Sequence, residues 1–313
     1  MGAYIARRIV STLVVMAIVG LFVFLLLHLA PGDPAAIIAG DNATPANIAA
    51  IRAHLGLDEP LAVQFAHWAW RLLHGNLGIS IFSNVPVMAL IEQRLPPTLS
   101  LTAITLVFSV VIAVSAGVIA AWRAGGGIDR CVMGFAALGF SVPVFVVGYF
   151  LIYWFAMDLR WLPVQGYEPL ASGIWPWLSH LILPAAALGM AYVALIARIT
   201  RASMLEVLAE DYMRTAAAKG ASAGAMLLRH ALKNAGVPIV TVIGIGVALL
   251  ISGVVITETV FNIPGVGRLT VDAITNRDYP IIQGVMVVFS GAYVLINLAV
   301  DLSYTLIDPR IRS

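Results

Sequence analysis

Residues 98–122 read TLSLTAITLVFSVVIAVSAGVIAAW, 25 consecutive positions without one Asp, Glu, Lys or Arg. At a rise of about 1.5 Å per residue, a helix of that length exceeds the roughly 30 Å of a hydrocarbon core. A helix also satisfies its own N–H and C=O groups, which an irregular segment in lipid would leave bare. The segment therefore predicts a transmembrane helix. Applied outward in both directions, the same test finds runs at 9–29, 132–157, 181–199, 237–261 and 284–307, for six predicted spans. Composition excludes a soluble domain, because 61% of the chain is hydrophobic and only 11% charged, where about 25% charged is usual in water. Cys131 is the single cysteine, which rules out an intrachain disulfide or a cysteine-built zinc site.

Basic residues in short loops fix which side of the membrane each loop occupies. With the N-terminus inside, 12 Lys and Arg fall on inside segments and 6 on outside ones. Both termini are thus expected in the cytoplasm, and the even number of spans agrees. Arg7 and Arg8 precede the first run, which is too long for a signal peptide core and lacks a small-residue cleavage site, so it reads as a retained span. The predicted organisation is a first helix within 1–30, an extracytoplasmic segment over 31–97, and a five-helix core over 98–313.

Two connections are too long for turns. The outer one opens on the breaker cluster Pro31-Gly32-Asp33-Pro34 and carries helical patterns at 46–55 and 61–73, too short and polar to cross a bilayer. A small helical cap is expected there. The inner one, 200–236, places Glu206, Glu210 and Asp211 before Arg214, Lys219, Arg229 and Lys233, an order suited to helix dipoles. Within it, Ala216-Ala217-Ala218-Lys219-Gly220 gives small side chains and then a glycine. Such a helix can dock closely in another protein and turn sharply after it, or can be a solvated connector; spacing leaves both open.

The run Asp211-Tyr212-Met213-Arg214-Thr215-Ala216-Ala217-Ala218-Lys219-Gly220, followed by Leu228-Arg229-His230-Ala231-Leu232-Lys233-Asn234-Ala235, resembles the coupling-loop signature of bacterial ABC-importer permeases. The dipeptide/oligopeptide and glutathione permease family, first-permease (B-type) subunit, is the particular likeness. It extends through Pro31-Gly32-Asp33-Pro34, Leu55-Gly56-Leu57-Asp58, Gly75-Asn76-Leu77-Gly78, Ser141-Val142-Pro143, Glu258-Thr259-Val260-Phe261, Pro264-Gly265-Val266-Gly267-Arg268-Leu269, Arg277-Asp278-Tyr279-Pro280 and the ending Asp308-Pro309-Arg310-Ile311-Arg312. Against the broad ABC-importer motif, Gly220 and Leu232 fit. Arg214 stands at the glutamate position, His230 at the isoleucine and Lys233 at the proline, with Pro238 five residues later.

The resemblance implies an all-α polytopic membrane protein with six transmembrane helices in the ABC importer type I permease fold, resident in the bacterial inner membrane. It implies a coupling helix from Tyr212 to about Ala225 seated on a cytoplasmic ATPase, with Asp211, Tyr212, Arg214, Thr215, Ala216, Ala218, Lys219 and Gly220 as coupling residues. Implied partners are a second homologous permease, two ATPase subunits and an extracytoplasmic solute-binding protein. ATP and magnesium belong to the ATPases, and this chain carries no cofactor. Short peptides are the implied solute, with a nickel chelate or another small solute as the alternative within the family.

Rocking of membrane helices needs a path lined by residues that tolerate water and close approach. Candidates are Ser141, Pro143 and Gly148 in the third span and Gly244, Gly246, Ser252 and Gly253 in the fifth; the resemblance adds Glu258 with the loop from Pro264 to Leu269, which in relatives can gate the path or meet the solute-binding protein. Close helix packing is the competing reading for the small residues. Asp301 in the last span shares a helical stripe with Asn297 and Tyr304, which suits structural pairing or a proton relay.

Two other classes fit the sequence poorly. An intramembrane enzyme needs a nucleophile–base pair or metal ligands at depth, and the six histidines form no His-Glu-x-x-His pattern. An autonomous channel or ion-driven carrier needs ionisable groups along its spans, which are nearly free of them. The chain also lacks a Gly-x-x-x-x-Gly-Lys-Ser/Thr phosphate loop, so ATP-driven transport would place hydrolysis in another subunit.

Overall fold

A computed structural model describes residues 2–29, 33–39 and 44–307. Pro31, Gly32 and the 308–312 ending lie outside the described residues, as do the side chains of Ser252, Asp301 and Tyr304. Every regular element among the described residues is helical, apart from one isolated bridge between Ile79 and Pro86.

The helices in order are α1 (Gly2–Leu29), α2 (Pro34–Ala39), α3 (Pro45–Leu55), α4 (Leu61–Leu73), α5 (Val87–Trp122), α6 (Gly127–Ser141), α7 (Val144–Leu151), α8 (Ile174–Leu208), α9 (Asp211–Ala218), α10 (Leu232–Asn234), α11 (Gly236–Val260), α12 (Val266–Asn276) and α13 (Tyr279–Ile307). π-Helical turns over Ile152–Asp158 and Ala225–Ala231 extend α7 and precede α10. The helices α5, α8 and the Tyr279–Ala299 part of α13 are each long and apolar enough to cross a membrane. Two bent pairs, α6 with α7 and the Ala225–Asn234 stretch with α11, pass the same test together, and Val10–Leu26 in α1 is a shorter apolar helix.

Local chemistry explains where the predicted spans and the observed helices differ. The predicted third span is not one straight helix. It breaks between Ser141 and Val144 with a bend of 108°. Pro143 has no N–H to donate and holds Val142 extended, at φ −98° and ψ 123°. The helix that carries the predicted second span starts at Val87 rather than Thr98, because α5 runs through Pro96 and Pro97, and so the last eleven residues expected in the cap, 87–97, belong to a helix. Prolines inside membrane helices are tolerated where neighbours make up the lost hydrogen bonds. In α8, Pro184 is another such residue, and the helix continues past the expected end at Ile199 to Leu208. Its 35 residues span about 52 Å, well beyond a hydrocarbon core.

The chain divides into two compact units, Met1–Pro96 with Arg268–Leu295, and Pro97–Gly267 with Ile296–Ser313. In the first unit α2, α3 and α4 follow α1. Thr44 caps α3, its hydroxyl accepting from the Asn47 amide at 3.3 Å, and Gly56 closes the helix in the left-handed region at φ +69°. Arg52 reaches Asp33 and Asp58, each at 2.9 Å, and Asp58 and then Asp33 hold its guanidinium above the usual value. In the same unit Asp278 is buried and accepts from the Ser80 hydroxyl at 2.6 Å.

The core of the second unit packs α5, α7, α8 and α11 around Leu101, Leu181, Leu188, Tyr192, Ile196, Leu250 and Phe261. Small residues set the closeness of these helices. A Cβ on Gly189 would stand 2.5 Å from Ser109 Oγ, and one on Gly139 would stand 2.9 Å from Ala194 Cβ. A further apolar cluster of Val118, Ala121, Met204, Met213, Ala231, Ala235 and Ile239 lies beneath α9.

Candidate functional site

The residues expected to couple to a partner are on α9 and the turn after it. α8 ends at Leu208 with Ala209 as its cap, Glu210 is extended, and α9 starts at Asp211. Met213 is 1% exposed and plugs α9 into the cluster that holds Met204, Ala231 and Ile239. Asp211, Tyr212, Arg214, Thr215, Ala218, Lys219 and Gly220 are exposed, and Ala216 is half-buried. One buried anchor therefore turns nearly all of the sequence-predicted residues outward.

Two hydrogen bonds fix the end of α9. The Gly220 amide donates to the Ala217 carbonyl at 3.0 Å and the Ala221 amide to the Ala216 carbonyl at 3.1 Å, with Gly220 at φ +84°. This paired closure over a left-handed glycine stops the helix. The helix at this place thus covers Asp211–Ala218 and stops short of Ala225, the end that the resemblance led us to expect. Tyr212 accepts from Asn234 Nδ2 at 3.0 Å, while Arg214 and Asp211 face each other at 3.3 Å with both side chains largely in solvent. An exposed pair of that kind contributes little stability.

Sequence reasoning missed two supports, one beneath α9 and one between α6 and α8. Met213 was passed over as part of the motif, although it is the one large apolar side chain in a short polar helix. The other support joins Asp129 to Arg201. Asp129 is 4% exposed in the first turn of α6, and the Arg201 guanidinium on α8 grips it with Nε on Oδ1 and Nη2 on Oδ2, the latter at 2.7 Å. The Gly125 amide adds a third hydrogen bond to Oδ2 at 2.8 Å. A two-pronged Arg–carboxylate contact is geometrically selective. Its members are 72 residues apart, so no spacing rule could have found it.

The gate candidates separate into two places. Glu258, near the end of α11, is fully buried, accepts from the Thr98 hydroxyl at 2.6 Å, and Thr98 Oγ1 in turn accepts from the Val266 amide at 2.8 Å. A Cβ on Gly265 would lie 2.0 Å from Glu258 Oε1. Glu258 therefore cradles the loop at 262–266, in which Pro264 is half-buried. Ser141 and Pro143 are instead exposed at the α6–α7 break, where the Ser141 hydroxyl donates to the Ala137 carbonyl at 3.0 Å. Gly148 sits against Phe261 and Val260, with Cβ distances of 3.2 and 3.3 Å, and this brings α7 up to the end of α11. Gly244 is buried. Gly246 lies under the Tyr192 ring and Gly253 under Leu188. Those contacts are helix packing.

Family comparison bears on the whole chain. A model described as "Binding-protein-dependent transport system inner membrane component" matches residues 113–313, and one for the N-terminal part of such membrane components matches residues 1–102. The chain belongs to this family of inner membrane components. As an ABC transporter permease, this inner membrane component has relatives along its full length. It is 66% identical over 312 residues, covering 100% of both chains, to a Sinorhizobium fredii protein named "Probable peptide ABC transporter permease protein". It is 44% identical, over 99% of its own length and 98% of the other, to a glutathione transport system permease protein of Shigella flexneri. Among solved structures, the MetNI methionine ABC transporter in an inward-facing form contains a chain of like fold, with a TM-score of 0.58 at 18% identity, covering 71% of this chain and 97% of that one.

Proposed function

We propose that this permease is the membrane-spanning subunit of an ATP-driven importer of short peptides, glutathione among them. The observation that carries the substrate class is the 66% identity over full length to a permease named for peptides, supported by the 44% identity to one named for glutathione. Six spans with both termini in the cytoplasm fit the bias of Lys and Arg between the two sets of loops. A second homologous permease completes the path, two ATPase subunits bind ATP and magnesium and perform the hydrolysis, and a solute-binding protein delivers the peptide. The chain itself performs no chemistry.

The coupling surface in this reading is the outward face of α9, formed by Asp211, Tyr212, Arg214, Thr215, Ala216, Ala218, Lys219 and Gly220. Met213 transmits its displacement to the cluster on Val118, Met204 and Ile239, which ties α9 to α5, α8 and α11. The Asp129–Arg201 contact makes α6 follow α8. Because packed helices move as rigid bodies, a shift of α9 reaches the broken α6–α7 span and the end of α11, where Glu258 holds the loop carrying Pro264. Ser141, Pro143, Gly148 and Ser252 then belong to the moving elements of the path.

The test is ATP hydrolysis by the co-purified complex in lipid nanodiscs, with and without its binding protein and di- to pentapeptides, for wild type and Gly220→Asp. The expected result is stimulation by peptide-loaded binding protein that the variant loses while still assembled. A chain that recruits no ATPase and still moves solute in liposomes would overturn the proposal.

A further inference from the structure

The short helix α4 has more apolar surface than its packing uses. At about 100° per residue, its side chains fall into three stripes. Leu61, Phe65, Trp68 and Leu72 share one, and this stripe meets α1. The Phe24 ring lies 5.4 Å from Phe65 and 5.9 Å from Trp68, and the Trp68 ring covers Gly20. Gln64, His67 and Arg71 form a second, narrow polar stripe. The third, with Ala62, Val63, Ala66, Trp70 and Leu73, is apolar and exposed, with Trp70 at 65% and Leu73 at 81%.

A cap standing in water would turn polar residues outward and would not expose Trp70 and Leu73 together. The observed order of stripes, a helix on one side, a narrow polar edge, and apolar surface elsewhere, suits a helix at the boundary of headgroups and acyl chains. Its place agrees, because Phe24 lies five residues before the end of α1 at Leu29, in the last turn of the apolar Val10–Leu26 stretch, where a spanning helix would reach the boundary. Ile18, Leu21 and Phe22 of α1 are exposed and apolar as well. Trp70 and Arg71 are residue types that anchor at such a boundary.

We propose that α4 is a membrane-interface helix, with Ala66, Trp70 and Leu73 in lipid and Gln64, His67 and Arg71 toward water. Its partner is the bilayer, and the inference requires only that the chain spans a membrane, so it stands apart from the coupling and substrate readings. The test is spin labelling of the full-length chain in nanodiscs, in a Cys131→Ser background, with single cysteines at 66, 67, 70, 71 and 73. Collisional relaxation by oxygen should exceed that by a water-soluble nickel chelate at 66, 70 and 73, and the order should reverse at 67 and 71. A nickel preference at all five positions would return α4 to a cap in water, and shielding from both reagents at 66, 70 and 73 would mean that protein covers the face; either overturns the proposal. As a second readout, Trp70→Phe should reduce the fraction of fluorescence quenched by bromine-labelled lipid, and an unchanged fraction would count against it.

Discussion

The Thr98 hydroxyl donates to Glu258 Oε1 over 2.6 Å and accepts the Val266 amide at 2.8 Å, so a single side chain links the carboxylate at the end of α11 to the start of α12. All three residues are buried. The contact makes Glu258, the candidate gate acid, the clasp of a loop. Glu258→Ala withdraws the acceptor and is expected to destabilise the region by about 1–3 kcal/mol, read as a lower unfolding midpoint of the purified complex. Glu258→Gln, which keeps an oxygen acceptor, should lose less. Peptide uptake unchanged in Glu258→Ala would remove Glu258 from the gate.

A related outcome is expected at Gly265. Its added Cβ would stand 2.0 Å from Glu258 Oε1 and 2.2 Å from its carboxyl carbon, so Gly265→Ala must displace the carboxylate. The variant should assemble poorly or transport slowly, and combining it with Glu258→Ala should recover part of the assembly lost in the single variant. Additive losses in the double variant would separate the two residues.

Gly246 tests the packing reading. A Cβ there would come within 1.6 Å of Tyr192 Cε2, and the Tyr192 hydroxyl is fixed by donating to the Ile243 carbonyl at 2.7 Å. Gly246→Ala is expected to cost about 1–3 kcal/mol by overpacking, with thermal unfolding in detergent as the measurement. Adding Tyr192→Ala should relieve the clash, leaving only the cost of the lost ring.

Gly220 separates conformation from contact. A Cβ at Gly220 would meet nothing within 4 Å, yet φ is +84°. Asn, which tolerates left-handed backbone, should preserve more peptide-stimulated ATP hydrolysis than Ala does. Equal activities of Gly220→Asn and Gly220→Ala would show that the left-handed turn is dispensable.

The Asp129–Arg201 contact predicts a reciprocal rescue. Asp129→Ala and Arg201→Ala should each weaken the link between uptake and hydrolysis, seen as more ATP consumed per peptide transported. The exchange Asp129→Arg with Arg201→Asp should recover part of the stoichiometry. Normal stoichiometry in both single variants would confine the pair to a local structural role.

Much of the fold was legible from apolar run length alone, since lipid rewards only helices that satisfy their own backbone. Helix interruptions were legible where proline chemistry acts locally, as at Ser141-Val142-Pro143, but the 108° size of that bend was not. The α9 residues were legible as a motif, and Gly220 as a turn, because a left-handed conformation favours glycine. The length of α9 was misjudged because helix closure depends on which carbonyls the Gly220 and Ala221 amides reach.

The sequence by itself determined that this chain is a helical membrane protein of a transport family and singled out the 211–220 segment as its candidate coupling motif. Hydropathy and short-range motifs suffice for that, since each is read within one stretch of chain. Only the tertiary structure decided that Met213 is the anchor of α9, that Asp129 meets Arg201 across 72 residues, and that Glu258 holds Thr98 across 160. Such contacts depend on how helices rotate about their axes and how closely glycines let them approach, and a linear pattern does not encode either.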